Sequence, residues 1–243
     1  RDLKVNNGGG IWRSTDGGNT WSKPPTSVYV KTGVNTPSHG YGISFEPGQS
    51  SRVYVGTEYG VAISNDDGAT WTYNTIYPYY QIKVYDVLAG KNGLAIAATS
   101  NGIYRTTNGG VNWSYVTSIL ATASTRSLCY STLNNNNVFI AADGYKIFYS
   151  GDFGATWKEI NSPGGKNREP FIRFTSQPSH VLGVPVNISY LYYGNGVDFY
   201  RKIIPNADNN NGNVFFDNGW VQLSEDHSDP SDVIFDNAGN SLL

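Results

Sequence analysis

An eight-residue box recurs along the chain and constrains its fold more than any other feature. The first copy is Ser14-Thr15-Asp16-Gly17-Gly18-Asn19-Thr20-Trp21. Ser64-Asn65-Asp66-Asp67-Gly68-Ala69-Thr70-Trp71 and Ser150-Gly151-Asp152-Phe153-Gly154-Ala155-Thr156-Trp157 have the same form. Thr106-Thr107-Asn108-Gly109-Gly110-Val111-Asn112-Trp113 is a weaker copy, with Asn in place of Asp and Thr. The box tryptophans stand 50, 42 and 44 residues apart. Trp220 follows 63 residues after Trp157, in Phe216-Asp217-Asn218-Gly219-Trp220, a decayed copy that keeps the Gly and the Trp. A fixed period of this size signals a repeat architecture, which has to be read before any local element.

Each interval carries the same pattern. In one, Ser127 to Tyr130 reads as a strand, Val138 to Ala142 as a second, Lys146 to Tyr149 as a third, and Trp157 to Ile160 as a fourth. Asp143-Gly144 is a hairpin signal between the second and third. Gly42 to Phe45, Val53 to Gly56 and Val61 to Ser64 repeat the layout before the second box; Tyr85 to Leu88, Leu94 to Ala97 and Ile103 to Arg105 repeat it before the third. The last unit is stretched: Phe171 to Phe174 opens it, Val181 to Val184 continues it, and Asn195 to Arg201 mimics Asn101 to Arg105. Four antiparallel strands per unit of this length predict an all-β fold, a β-propeller of four-stranded blades. The tryptophans predict one domain over residues 1–243 with five blades, ending near Trp21, Trp71, Trp113, Trp157 and Trp220. The first and last strands are expected to share the terminal blade; the alternative is a piece of a larger propeller.

The residue types in the box suit a tight turn between the third and fourth strands. Asp16, Asp66 and Asp152 can accept hydrogen bonds from backbone N–H groups just downstream. Gly18, Gly68, Gly110 and Gly154 supply a positive φ. Thr20, Thr70 and Thr156 can return a hydroxyl bond across the loop, with Ser14, Ser64, Asn108 and Ser150 completing the frame. The tryptophan is expected to bury its ring beneath the turn.

These boxes resemble the Asp-box, or BNR repeat, of sialidases, xyloglucan-degrading glucanases, sortilin-type receptor ectodomains and photosystem assembly factors. The resemblance implies a structural turn remote from the ligand face, not a catalytic or calcium-binding acid. The catalytic signatures of those families are missing. Phe171-Ile172-Arg173-Phe174 shares letters with the sialidase Phe/Tyr-Arg-Ile-Pro motif but not its order. The xyloglucanase-like enzymes use two large propellers, which one chain of this length does not supply. The eight arginines are scattered rather than gathered into the basic patch of the assembly factors.

Composition closes off several classes. A net charge of −2 gives no basic footprint for nucleic acid. No apolar run is long enough for a membrane helix. The three histidines, His39, His180 and His227, lack metal-ligand spacing. Neither a cofactor nor a metal is expected. The lone Cys129 reads as a buried, inert thiol. The opening Arg1-Asp2-Leu3-Lys4 shows no leader pattern and reads as a mature form or an excised fragment. Two sequons occur, Asn112-Trp113-Ser114, which lies inside a box and reads as structural, and Asn187-Ile188-Ser189; low charge and many Asn, Tyr, Ser and Thr residues lean toward an extracellular or cell-surface protein.

In a four-stranded blade the second-to-third turns lie on the face opposite the boxes. That face is expected to carry Glu58, Tyr59, Asn101, Asp143 and Tyr145, with Tyr77, Tyr79 and Tyr80 and the stretch Thr36 to Tyr41 on blade-to-blade links. Exposed tyrosines beside acids and amides suit a glycan or a protein partner; the alternative, favoured for Tyr77 and Tyr80, is that they cap the core between blades. Glu58, Asp86, Asp143, Glu169, Glu225, Asp226 and Asp229 are loop acids, but nothing pairs them at the spacing of a glycosidase. Glu225 to Asp229 reads as a solvated loop, with calcium binding or an acid/base site the alternatives. The expected role is therefore a non-catalytic binding or structural module, free or within a larger chain or assembly. A propeller glycoside hydrolase and an architectural subunit of a surface assembly are the alternatives.

Overall fold

The computed structural model describes residues 10–24, 39–49, 51–74, 76, 82–116, 124–131, 138–142, 146–164, 170–181, 184–195, 198–204, 219–224, 234–235 and 241–242. The chain divides into two compact units, Arg1–Thr122 and Ala123–Leu243. Each is built from four-stranded antiparallel sheets, and no helix occurs among the described residues.

In the first unit, one sheet contains β1 (Gly40–Phe45), β2 (Val53–Thr57), β3 (Gly60–Ser64) and β4 (Thr72–Asn74), paired in that order. The next contains β5 (Val84–Ala89), β6 (Ala95–Thr99), β7 (Gly102–Thr106) and β8 (Ser114–Tyr115), again in chain order. Sequential pairing through short turns is what the repeated strand-turn-strand pattern demands. Two-residue alternation then sends successive side chains to opposite faces. Tyr54, Val61 and Ile63 from the first sheet meet Val87, Ala89, Ala95, Ala97 and Tyr104 from the second in one buried cluster. The alanines let the sheets approach closely, and each fully buried Val or Ile contributes about 1.5–3 kcal/mol.

Strand β1 lies directly on β5. Gly42 and Ser44 face it: Ser44 Oγ accepts the Ala89 N–H at 2.9 Å. Gly42 permits that approach, because a Cβ there would overlap the Asp86 carboxylate and stand 2.7 Å from the Asp86 Cα. The alternate residues Tyr41, Ile43 and Phe45 point the other way and are exposed.

The second unit repeats the plan. β9 (Thr125–Tyr130), β10 (Val138–Ala142), β11 (Lys146–Ser150) and β12 (Lys158–Ile160) form one sheet. β13 (Phe171–Val181), β14 (Val184–Gly194), β15 (Phe199–Ile204) and β16 (Trp220–Ser224) form the next, followed by the two-stranded β17 (Ile234–Phe235) and β18 (Ser241–Leu242). Cys129 is buried with Ile147, Ile160, Ile172, Phe174, Leu191, Tyr193 and Ile204 between the two larger sheets.

One strand assignment needs correction. Val181 to Val184 is not the second strand of the stretched unit. β13 and β14 are each 11 residues long, and their register runs unbroken from Phe171↔Gly194 to Val181↔Val184. Val181 therefore ends one long strand and Val184 begins the next. Only Ser189 to Gly194 of β14 pairs with β15, so the hairpin extends past its own sheet.

Candidate functional site

Three boxes join the third and fourth strands of their sheets, β3 to β4, β7 to β8 and β11 to β12, and the first is closed by the Arg13–Ser22 bridge. The three Asp copies share one bonding pattern. Each Ser hydroxyl donates to the Asp Oδ1 at 2.8 Å. The same hydroxyl accepts the Gly N–H at 2.8, 2.8 and 2.7 Å. The Thr N–H donates to Asp Oδ1 at 2.8 Å, and the Thr hydroxyl to Asp Oδ2 at 2.6, 2.6 and 2.7 Å. The indole N–H then donates to the Gly carbonyl at 3.0, 3.0 and 3.1 Å. Gly18, Gly68, Gly110 and Gly154 have φ of 91, 81, 84 and 77°. At Gly110 the constraint is doubled, since a Cβ there would also overlap Ile63 Cδ1.

These bonds set the electrostatics. Asp16 is held at about 2 by the Thr20 hydroxyl, the Thr20 N–H and the Ser14 hydroxyl. Asp66 is held at about 2 by the matching groups of Thr70 and Ser64. At Asp152 burial pushes the carboxyl up, but the bonds from Thr156 and Ser150 together outweigh it and leave it below the ordinary value. A carboxylate saturated this way is a poor proton carrier near neutrality.

The fourth box keeps part of the pattern. Asn108 Oδ1 accepts from the Thr106 hydroxyl at 2.9 Å and from the Asn112 N–H at 3.0 Å. An amide has one acceptor oxygen where a carboxylate has two, and Asn112 has no hydroxyl to return. Here the Gly110 carbonyl accepts from Asn74 Nδ2 at 2.8 Å, and among the described residues the buried indole N–H of Trp113 has no hydrogen-bond partner.

Trp71 and Trp157 are buried, but Trp21 is 60% exposed, against expectation. Trp71 rests on Val53, Val55 and Ala62 of its own sheet. Beneath Trp21 the described residues provide only the Arg13–Ser22 bridge. Trp220 opens β16 as the box tryptophans open their fourth strands, but its indole donates to the Asn161 carbonyl at 2.8 Å.

The opposite end of the first unit gathers different chemistry. Gly40 pairs with Thr57 and Val84 with Thr99, so the openings of β1 and β5 lie beside the β2–β3 and β6–β7 turns. Both turns are locked alike. Thr57 Oγ1 donates to the Gly60 carbonyl at 2.9 Å and accepts the Tyr59 N–H at 3.2 Å. Thr99 Oγ1 does the same with Gly102 and Asn101, at 2.7 and 3.0 Å. β3 runs from this end toward the second box, so box and cluster sit at opposite ends of the sheet.

Here Glu58 Oε2 accepts the His39 N–H at 2.9 Å, and Glu58 Oε1 lies 3.6 Å from His39 Nδ1. The His39 and Tyr41 rings lie within 17° of parallel with centroids 6.4 Å apart. Tyr41 and Tyr85 are also 6.4 Å apart, tilted by 59°. The Lys83 ammonium lies 4.5 Å from the Tyr41 centroid and 4.8 Å from that of Tyr85. The Lys83 carbonyl accepts the Ser100 N–H at 2.9 Å, which seats it against the β6–β7 turn.

Glu58, Tyr59 and Asn101 are thus at the end expected of them. Tyr77, Tyr79, Tyr80, Asp143 and Tyr145 lie outside the described residues, as do Glu169 and the acidic stretch Glu225 to Asp229. Among the described residues no group of three His, Cys, Asp or Glu could hold a metal. Lys83 and Tyr85 went unrecognised in the sequence. Their signal was positional: Lys83-Val84-Tyr85 opens β5 as His39-Gly40-Tyr41 opens β1.

No protein-family model matches the chain. A xyloglucanase of Paenibacillus sp. is 32% identical over 139 residues, covering 45% of this chain and 13% of that protein. Xyloglucanase Xgh74A of Acetivibrio thermocellus is 30% identical over 139 residues, covering 45% and 16%. The chain therefore spans less than a fifth of the length of these curated relatives. Among solved structures, an ancestral GH74 enzyme superposes with a TM-score of 0.56 at 18% identity, over 89% of this chain and 29% of its own. YCF48 bound to a D1 peptide gives 0.51 at 21%, over 79% and 56%. The extracellular domain of the two-component system BT4673 from B. thetaiotaomicron gives 0.57 at 14%, over 87% and 26%. GH74 and YCF48 proteins are β-propellers, and the four-stranded sheets here are of that fold.

Proposed function

We propose that this chain is an Asp-box propeller domain over residues 1–243, with five blades, that binds a glycan in an extracytoplasmic setting without catalysing its cleavage. The cluster of His39, Tyr41, Lys83 and Tyr85, opposite the boxes, carries this reading. Aromatic rings with fixed polar groups around them are the usual means of holding a sugar's apolar face and hydroxyls together. Tyr59 and Asn101, on the flanking turns, extend the same surface. The xyloglucanase names of the curated relatives and the extracellular solved domain agree in direction. Titration calorimetry with a xyloglucan oligosaccharide tests it: Tyr41→Ala is expected to weaken binding about tenfold or more, while Asp66→Asn leaves it unchanged. Absence of binding to xyloglucan and to other plant or host oligosaccharides rejects the reading.

A second reading, a piece of a glycoside hydrolase, is favoured by the 32% identity to the Paenibacillus xyloglucanase over 45% of this chain. Of the acids expected on loops, Glu58 is described on the β2–β3 turn, whereas Asp86 lies within β5 rather than on a loop, its Oδ1 accepting the Val87 N–H at 2.9 Å. Release of new reducing ends that is lost in Glu58→Gln would favour it.

A further inference from the structure

We infer that the cluster at the openings of β1 and β5 selects a glycan carrying uronic acid residues, with Lys83 as the group that recognises the carboxylate. This rests on the glycan-binding reading and narrows it.

The charge at the site is organised unevenly. Lys83 is flanked by two phenol rings, at 4.5 Å from the Tyr41 centroid and 4.8 Å from that of Tyr85. Cation–π attraction fixes where an ammonium sits but does not neutralise it. Among the described residues Lys83 makes no ion pair. The carboxylate of the same cluster, Glu58, is committed elsewhere: one oxygen accepts the His39 N–H at 2.9 Å and the other lies 3.6 Å from His39 Nδ1. The ammonium is therefore positioned in advance, half-buried, and still able to donate to an anion.

His39 stacks near-parallel with Tyr41 at 6.4 Å, and the His39 side chain, 53% exposed, and Tyr41, 40% exposed, form the aromatic surface beside the ammonium. A pyranose lies on such a surface by its C–H face. A neutral sugar would use the rings alone and leave the ammonium to water. A uronic acid carries its carboxylate at the ring edge, where a cation held over the Tyr41 and Tyr85 rings can meet it. A charge-assisted bond of this kind is about twice as strong as a neutral one, and anchoring the donor lowers the entropy lost on binding.

The test compares an oligogalacturonide with a neutral xyloglucan oligosaccharide, by calorimetry at low and at physiological salt. The expected result is at least tenfold tighter binding of the acidic oligomer, weakened by salt. Lys83→Gln should abolish the preference, while Lys83→Arg should keep most of it. Unchanged melting temperatures exclude a folding defect, and the arginine variant keeps the question answerable if the glutamine variant does not fold. Equal affinity for the two oligomers, or an unaltered preference in Lys83→Gln, overturns this inference while glycan binding stands. Binding of neither, or capture of an acidic peptide instead, overturns the glycan reading and this inference together.

Discussion

Glu46 Oε1 accepts the backbone N–H of Gly93 at 2.9 Å, tying the end of β1 to the β5–β6 turn of the next sheet. Its other oxygen accepts from Arg52 Nη1 at 3.1 Å, and Arg52 Nε donates to Asn65 Oδ1 of the second box at 2.8 Å. Glu46 is buried, at 3% exposure. Glu46→Ala strands the Gly93 N–H and the guanidinium together. Urea unfolding should show a loss of about 3 kcal/mol, the scale for breaking a buried charged network by removing one partner.

The box carboxylates give a pH signature. The folded values of Asp16 and Asp66, about 2, lie below the ordinary 3.8. A depressed folded value means that the unfolded chain binds the proton more readily. The stabilisation is then complete above pH 3.8 and is lost as pH falls through the folded value near 2. Thermal unfolding in that window should show the wild type losing stability on acidification and Asp66→Asn losing less. Identical slopes would show that the box bonds do not couple to folding.

The fourth box is open to repair. Asn108→Asp with Asn112→Thr supplies the second acceptor and the missing hydroxyl, and should raise stability by about 1 kcal/mol. A melting temperature unchanged or lowered would mean that the Asn74 bond to Gly110 has fixed a different geometry.

The tryptophans separate cleanly by burial. Trp71→Ala, removing a ring 4% exposed, should cost about 3–5 kcal/mol. Trp21→Ala, at 60% exposure, should cost about 1 kcal/mol or less. Equal costs would mean that the box itself, rather than the sheet beneath it, sets the contribution of the indole.

The strands around each box were legible because their signals are local. Val53 to Gly56 and Val61 to Ser64 are short apolar runs bounded by turn residues, and the boxes fix the turn at one end. The β13–β14 pair was misread because an apolar run containing Gly183 looks like a short strand; only the pairing from Phe171↔Gly194 to Val181↔Val184 shows that Val181 and Val184 belong to two different long strands. At the candidate site, Glu58, Tyr59 and Asn101 could be placed from their turns. Lys83 and Tyr85 could not, because they meet Tyr41 through the packing of β5 on β1. That contact is non-local, between first strands of successive units, and shows only when the units are aligned strand by strand.

Glycan recognition at the strand-opening end is tested most directly by amide and ring chemical-shift mapping of the labelled chain, titrated with an oligogalacturonide. Perturbations confined to His39, Tyr41, Glu58, Lys83 and Tyr85, with Gly68 and Gly110 of the boxes unmoved, are the expected result. Shifts centred on the boxes, or none at saturating oligosaccharide, would contradict it.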